Sequence, residues 1–146
     1  MNGSIFVDTN VLVYSRDASK PRKQTQAAEW VSHLWRTGSG RLSVQVIAEF
    51  YAVVTGKLRP GMDVASARQD AEDLFSWRPL PMTPELLAEA WAIQDRFHLS
   101  WWDSLIVSAA RILQCIYLLS EDFHHSQDFS GVRVINPFRV GPKELQ

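Results

Sequence analysis

Residues 5–14, IFVDTNVLVY, decide the architecture. Ile5, Phe6 and Val7 form an unbroken apolar run that reads as a strand covered on both faces. Asp8-Thr9-Asn10 follows at once and closes the strand with a turn or a helix start. A strand buried on both faces belongs to a sheet with helices above and below it. An aspartate delivered at the carboxyl end of such a strand stands where open parallel sheets form their sites.

Two more apolar runs match the first. Ile116 to Leu119 leads into Ser120-Glu121-Asp122, and Val132, Val134 and Ile135 precede Asn136-Pro137, which ends regular structure. Helical spacing occupies the intervals. Ala27, Ala28, Val31, Leu34 and Trp35 outline a helix from Gln24 to Trp35, terminated by Gly38 and Gly40. The preceding SRDASKPRK is polar, basic and proline-containing, hence a loop. Leu42 to Thr55 mixes β-branched residues with helical spacing at Val46, Ile47, Phe50 and Val54, which suggests a very short strand at Leu42 and then a helix capped by Ser43. After the breaker LRPGMD, a helix carries Val64, Ala67, Ala71, Leu74 and Phe75. Thr83-Pro84-Glu85 starts another that runs toward Phe97, and Ser100 with Asp103 has capping-box spacing ahead of Leu105, Ile106, Ala109, Ile112 and Leu113. Strands separated by helices need crossover connections. The expected fold is therefore α/β, with a mostly parallel central sheet, helices on both faces and a single domain over residues 1–146.

The 146 residues, 46% hydrophobic, are enough for one core without disulfides or a structural metal. Fifteen basic against sixteen acidic residues give a formal charge of -1, so a polyanion has to be held locally rather than by a global basic field. The single Cys115 sits in an apolar stretch, as a buried, inert thiol would in a reducing compartment. No basic leader with a long apolar segment opens the sequence, and SLIVSAARILQC is too short to span a bilayer and is interrupted by Arg111. These features suggest a soluble, cytoplasmic protein with no membrane association.

Four carboxylates stand where apolar elements stop or bend: Asp8, Glu49, Asp103 and Asp122. Each has a structural reading. Asp8 can cap the helix after it, Asp103 can complete a capping box, Asp122 can serve a turn and Glu49 can sit on a solvated helix face. Their joint placement favours a site. Carboxylates gathered in a partly dry pocket raise one another's pKa, and a divalent cation removes that cost. Oxygen donors without a Cys or His cluster point to Mg2+ or Mn2+, an ion that activates water and polarises a phosphoryl oxygen. His98, His124 and His125 are distant from the acid motifs in sequence and are assigned no ligand role.

The motifs resemble those of PIN-domain ribonucleases, and specifically the VapC toxins of type II toxin–antitoxin pairs, along nearly the whole chain. Asp8 with Thr9-Asn10-Val11-Leu12 is similar to the opening acid motif, and Leu42-Ser43-Val44-Gln45 through Glu49-Phe50 to the second. Trp102-Asp103 with Leu105-Ile106-Val107 and Ala109-Ala110 resembles the third, Ser120-Glu121-Asp122 the fourth, and Val134-Ile135-Asn136-Pro137-Phe138 the family's end. The resemblance implies a PIN-like three-layer fold, Mg2+- or Mn2+-dependent endoribonuclease activity on RNA, a homodimer, and a cognate VapB-type antitoxin. On this reading Asp8 and Asp103 are the main metal ligands, while Glu49 and Asp122 hold water or a second ion. Thr9 or Ser120 donates a hydrogen bond to a neighbouring carboxylate or phosphate, and Asn10 braces the Asp8 loop. The fourth acid is Asp122, Glu121 or Asp128; Asp122 is preferred because it holds the third place of a Ser/Thr-x-Asp pattern.

For RNA contact the densest basic stretch is Arg16, Lys20, Arg22 and Lys23, and Trp101 or Trp102 beside Asp103 could stack a base. Ribonuclease H requires long antiparallel strands where Gln24 onward reads as helix. A haloacid-dehalogenase-type phosphatase requires an acid two places after Asp8, where Asn10 stands. Flap nucleases need DNA-clamping segments for which the chain has no room. The remaining rival is a catalytically silent PIN-like module that binds RNA or a protein without cutting.

Overall fold

Parallel pairing turns the apolar runs into one sheet. The computed structural model describes residues 3–145. Its strands are β1 (Ile5–Val7), β2 (Gly40–Arg41), β3 (Tyr117–Leu119), β4 (Asp128–Phe129) and β5 (Val132–Ile135), ordered β2-β1-β3-β5-β4. β1, β2, β3 and β5 run parallel, and β4 joins β5 as an antiparallel hairpin. Phe6, Val7, Leu118, Leu119 and Val134 on the central strands are fully buried, which explains their continuous rather than alternating hydrophobicity.

Six helices cover the sheet in a three-layer α/β arrangement: α1 (Thr9–Tyr14), α2 (Pro21–Thr37), α3 (Val44–Gly56), α4 (Val64–Asp73), α5 (Pro84–Phe97) and α6 (Trp101–Ile112). Side-chain caps set several of their starts. Ser43 Oγ accepts from Val46 N at 3.3 Å, Thr83 Oγ1 from Leu86 N at 3.2 Å and Ser100 Oγ from Asp103 N at 3.1 Å. α2 ends at Gly38 in the left-handed conformation, with φ 68°, and the Gly38 N–H bonds Leu34 O. No helix among the described residues is long and apolar enough to cross a membrane.

Several boundaries differ from the sequence expectation: α4 stops at Asp73, so Leu74 and Phe75 fall in a 3-10 turn with Phe75 exposed, and β3 begins at Tyr117 rather than Ile116. The short strand expected at Leu42 lies at Gly40–Arg41, paired with Ile5 and Phe6. A Cβ on Gly40 would meet the Trp77 ring at 2.6 Å, so this edge takes a residue without a side chain. Leu42 has already turned away to exchange backbone bonds with the Leu80 segment. α2 starts at Pro21 rather than Gln24, because proline tolerates the first helical turn and the loop is correspondingly shorter. β4 has no counterpart in the sequence expectation, since two residues give no readable period.

Candidate active site

Register brings Asp8 beside the segment that carries Asp122. Val7 pairs with Leu119 and Leu119 with Ile135, so the next residues, Asp8 and Ser120, leave adjacent strand ends side by side. Asp8 N still bonds Leu119 O at 3.0 Å, and Ser120 N bonds Ile135 O at 3.0 Å, extending the ladder one step before the chain turns into α1. Asp8 is the N-cap of α1 and is buried.

Hydrogen bonds from neighbouring donors fix this centre. Asp8 Oδ1 accepts from Thr9 N at 2.7 Å, while Asp8 Oδ2 accepts from Ser120 Oγ at 2.8 Å and Asn10 Nδ2 at 3.2 Å. The Asn10 amide also reaches Asp122 Oδ2 at 3.1 Å and Ser120 Oγ at 3.2 Å, so one NH2 group stands between two like-charged carboxylates. Ser120 Oγ in turn accepts from Asp122 N at 3.0 Å. Asn10 therefore braces more than the Asp8 turn; it joins the end of β1 to the end of β3.

The other two acids come from helices. Thr9 Oγ1 donates to Glu49 Oε1 at 3.0 Å, tying α3 to the start of α1. Asp103 occupies the first turn of α6, where the helix macrodipole favours an anion. Its backbone N–H donates to Ser100 Oγ at 3.1 Å, the first half of a capping box. Its pKa is raised by partial burial and by the negative charges of Asp122 and Glu49, against a lowering by the Ser100 hydroxyl. The charge of Asp103 is thus felt together with those of Asp122 and Glu49.

Asp8 bears the largest strain of charge. Burial drives its pKa up to about 7; the Ser120 hydroxyl and Thr9 N–H oppose the rise, and the charges of Asp122 and Asp103 add to it. None of the ion pairs among the described residues joins a Lys or Arg to Asp8, Glu49, Asp103 or Asp122. This oxygen-only donor set with uncompensated negative charge fits a hard divalent cation. The four carboxylates stand wider than a closed coordination shell: no three His, Cys, Asp or Glu among the described residues lie at metal-ligating spacing.

The alternatives to Asp122 are engaged elsewhere. Glu121 turns its side chain to Tyr14 and Lys23, although its backbone N–H bonds Asn10 Oδ1 at 3.1 Å. Asp128 lies on β4, where it accepts from Gly131 N at 2.9 Å within the hairpin. Among the histidines, His98 caps α5 in the left-handed conformation, and His125 Nδ1 accepts from Asn136 N at 3.1 Å. Buried Cys115 has its thiol pushed up to about 12 by burial, so it is unreactive at neutral pH.

Sequence reasoning missed the group beside the acids. Tyr14 OH donates to Glu121 Oε1 at 2.9 Å, Lys23 pairs with the other Glu121 oxygen, and Lys23 Nζ lies 4.9 Å from the Tyr14 ring and 5.0 Å from the Phe138 ring. The bond to Glu121 raises the Lys23 pKa, and burial followed by Glu121 raises that of Tyr14. The only advance signal is the basic stretch containing Lys23. Of that stretch, Arg16 is held by Asp70 through bonds of 2.7 and 2.9 Å.

A family model described as the PIN domain matches residues 5–127. A chain in the structure of FitAB bound to an IR36 DNA fragment is similar at a TM-score of 0.69 and 22% sequence identity, over 93% of this chain and 96% of that chain; the likeness is one of fold. No curated protein matches.

Proposed function

Because the chain belongs to the PIN-domain family, we propose that it is a Mg2+- or Mn2+-dependent endoribonuclease, the toxin of a type II toxin–antitoxin pair. PIN domains are generally nucleases. The observation that carries the reading is Asp8: a buried carboxylate among other acids, without a cationic side chain to balance it. The toxin assignment is supported by the motif resemblance at Asp8–Leu12, Leu42–Phe50, Trp102–Ala110 and Ser120–Asp122. With it go a cytoplasmic location, a single domain over residues 1–146, a homodimer and a VapB-type antitoxin.

Asp8 and Asp103 would be the principal ligands, with Glu49 and Asp122 completing the set. A divalent cation held there supplies charge neutralisation for the RNA phosphate and activation of water. The protein supplies orientation. Ser120 and Thr9 N–H aim the two Asp8 oxygens, Asn10 bonds both Asp8 and Asp122, and the hydroxyl of Thr9, the residue next to Asp8, ties down Glu49. Glu49 and Asp122 would then hold the attacking water and take its proton. Trp102, 59% exposed and next to Asp103, offers an aromatic face on which a base can stack.

The rival reading is a silent binding module, favoured by the absence of ligating spacing among the described acids. Purified, antitoxin-free protein incubated with total RNA separates the two. Cleavage that requires Mg2+ or Mn2+, stops with chelator and disappears in Asp103→Ala supports the nuclease; metal-independent binding without cleavage overturns it. Because the similar FitAB structure is bound to DNA, a DNA arm belongs in the same assay.

A further inference from the structure

We propose that Lys23 and Tyr14 form a phosphate subsite next to the acid centre, closed in the free protein by Glu121, whose carboxylate occupies the place of a nucleic-acid phosphate. The proposal rests on the nuclease reading for its substrate class. Two donors converge on one anion: Tyr14 OH reaches Glu121 Oε1 at 2.9 Å, and the Lys23 ammonium reaches Oε2. Carboxylate and phosphate oxygens accept the same charge-assisted bonds, so the pair of donors suits either group.

The donors are aimed independently of Glu121. Lys23 Nζ lies over Tyr14 and Phe138, whose rings meet edge to face at 5.1 Å, so the two aromatic faces keep the ammonium in position when the carboxylate leaves. Lys23 and Glu121 side chains are 38% and 26% exposed, and a pair open to water is held weakly enough to be exchanged. Position makes the exchange useful. Glu121 directly precedes Asp122, and its backbone N–H is bonded to Asn10, the residue that links Asp122 to Asp8. A phosphate bound by Lys23 and Tyr14 would therefore neighbour the one lying over the acids on the same strand. Uncompensated carboxylates repel a polyanion, and a cation beside them offsets that repulsion. Arg16 and Arg111 are paired with Asp70 and Glu89, whereas the partner of Lys23 belongs to the segment that carries the fourth acid.

The test measures binding of a short single-stranded RNA, and of DNA of the same sequence, to the Asp103→Asn protein over a range of salt. Lys23→Met should weaken binding to both strands by the same factor, about tenfold, and reduce the slope of log affinity against log salt by roughly 0.7, the value for one lost contact to a single strand. Glu121→Gln should tighten binding severalfold. Tyr14→Phe, which keeps the ring and loses only the hydroxyl, should weaken binding less than Lys23→Met while leaving Tm unchanged. In cleavage assays with Asp103 intact, Lys23→Met should raise KM more than it lowers kcat. An unchanged salt slope in Lys23→Met, a loss confined to RNA, or weaker binding in Glu121→Gln overturns the subsite. Binding is read without turnover, so failure of the nuclease reading shows up separately, as a wild-type protein that binds but never cuts.

Discussion

The acids carried by strand ends and those carried by helices are organised differently. Asp8 and Asp122 share Asn10 and Ser120, and both Asp8 oxygens are occupied by donors. Glu49 is tied by Thr9 alone, and Asp103 makes only the backbone half of its cap. Sheet register thus produces a half-site fixed by several hydrogen bonds, whose charge is expensive to maintain. The helix-borne half is held by fewer side-chain bonds. Such a division reconciles a preorganised centre with the absence of ready ligating spacing among the described residues.

The sharpest way to break that comparison is to remove one acid from each half. Asp8→Ala and Asp103→Ala should each lower kcat/KM on the order of a thousandfold, the scale of several kcal/mol of cation-derived charge stabilisation. Single-turnover cleavage at saturating metal measures this, and near-wild-type rates in either variant would remove that half from the site. Added metal should rescue neither variant fully.

A smaller effect concerns stability without metal. The folded-state pKa of Asp8, about 7, exceeds its ordinary value of 3.8, so the folded state binds more protons between those values. Stability should therefore fall as pH rises from about 4 to 7 and level off above that, by on the order of a few kcal/mol. In chelator, Asp8→Asn should flatten this dependence, read as Tm against pH relative to wild type. Parallel profiles would refute the burial of an uncompensated charge. Divalent cation should restore wild-type stability most at high pH, where Asp8 is ionised.

The smallest of the three tests the bracing itself. Asn10→Ala and Ser120→Ala should each reduce metal affinity or activity about 10–100-fold, as loss of groups that orient ligands does. Metal titration followed by Tm or cleavage rate would measure both. Equal insensitivity to these changes would mean that strand register alone aligns Asp8 and Asp122.

The sheet-borne half is the more legible in sequence, for a physical reason. A fully apolar run that stops at an acid reports both burial and the strand end, as IFV-Asp8 does, and SED after YLL does nearly as well. Ser43 and Ser100 reveal the helix starts because caps are local. What stays hidden depends on distant contacts. Nothing near Gly40 in sequence announces the Trp77 ring above it, and nothing near Lys23 announces Phe138 or Glu121. The choice among Asp122, Glu121 and Asp128 is likewise a question of side-chain direction: Tyr14 and Lys23 engage Glu121, Gly131 engages Asp128, and Asn10 engages Asp122. The identity of the cation and of the nucleic acid is not written in apolar periodicity at all; the proposed cation follows from the oxygen donors, and the proposed RNA from the motif resemblance.

The bond from Ser120 Oγ to Asp8 Oδ2 spans 112 residues of chain. During synthesis, residue 8 is made well before the strand that carries its partner, 112 residues further on. Until β3 docks against β1 there is no shared strand-end ledge on which the acids can meet. A chain that ends before β3 consequently cannot assemble the strand-end cluster of Asp8, Ser120 and Asp122, whatever the state of its helices.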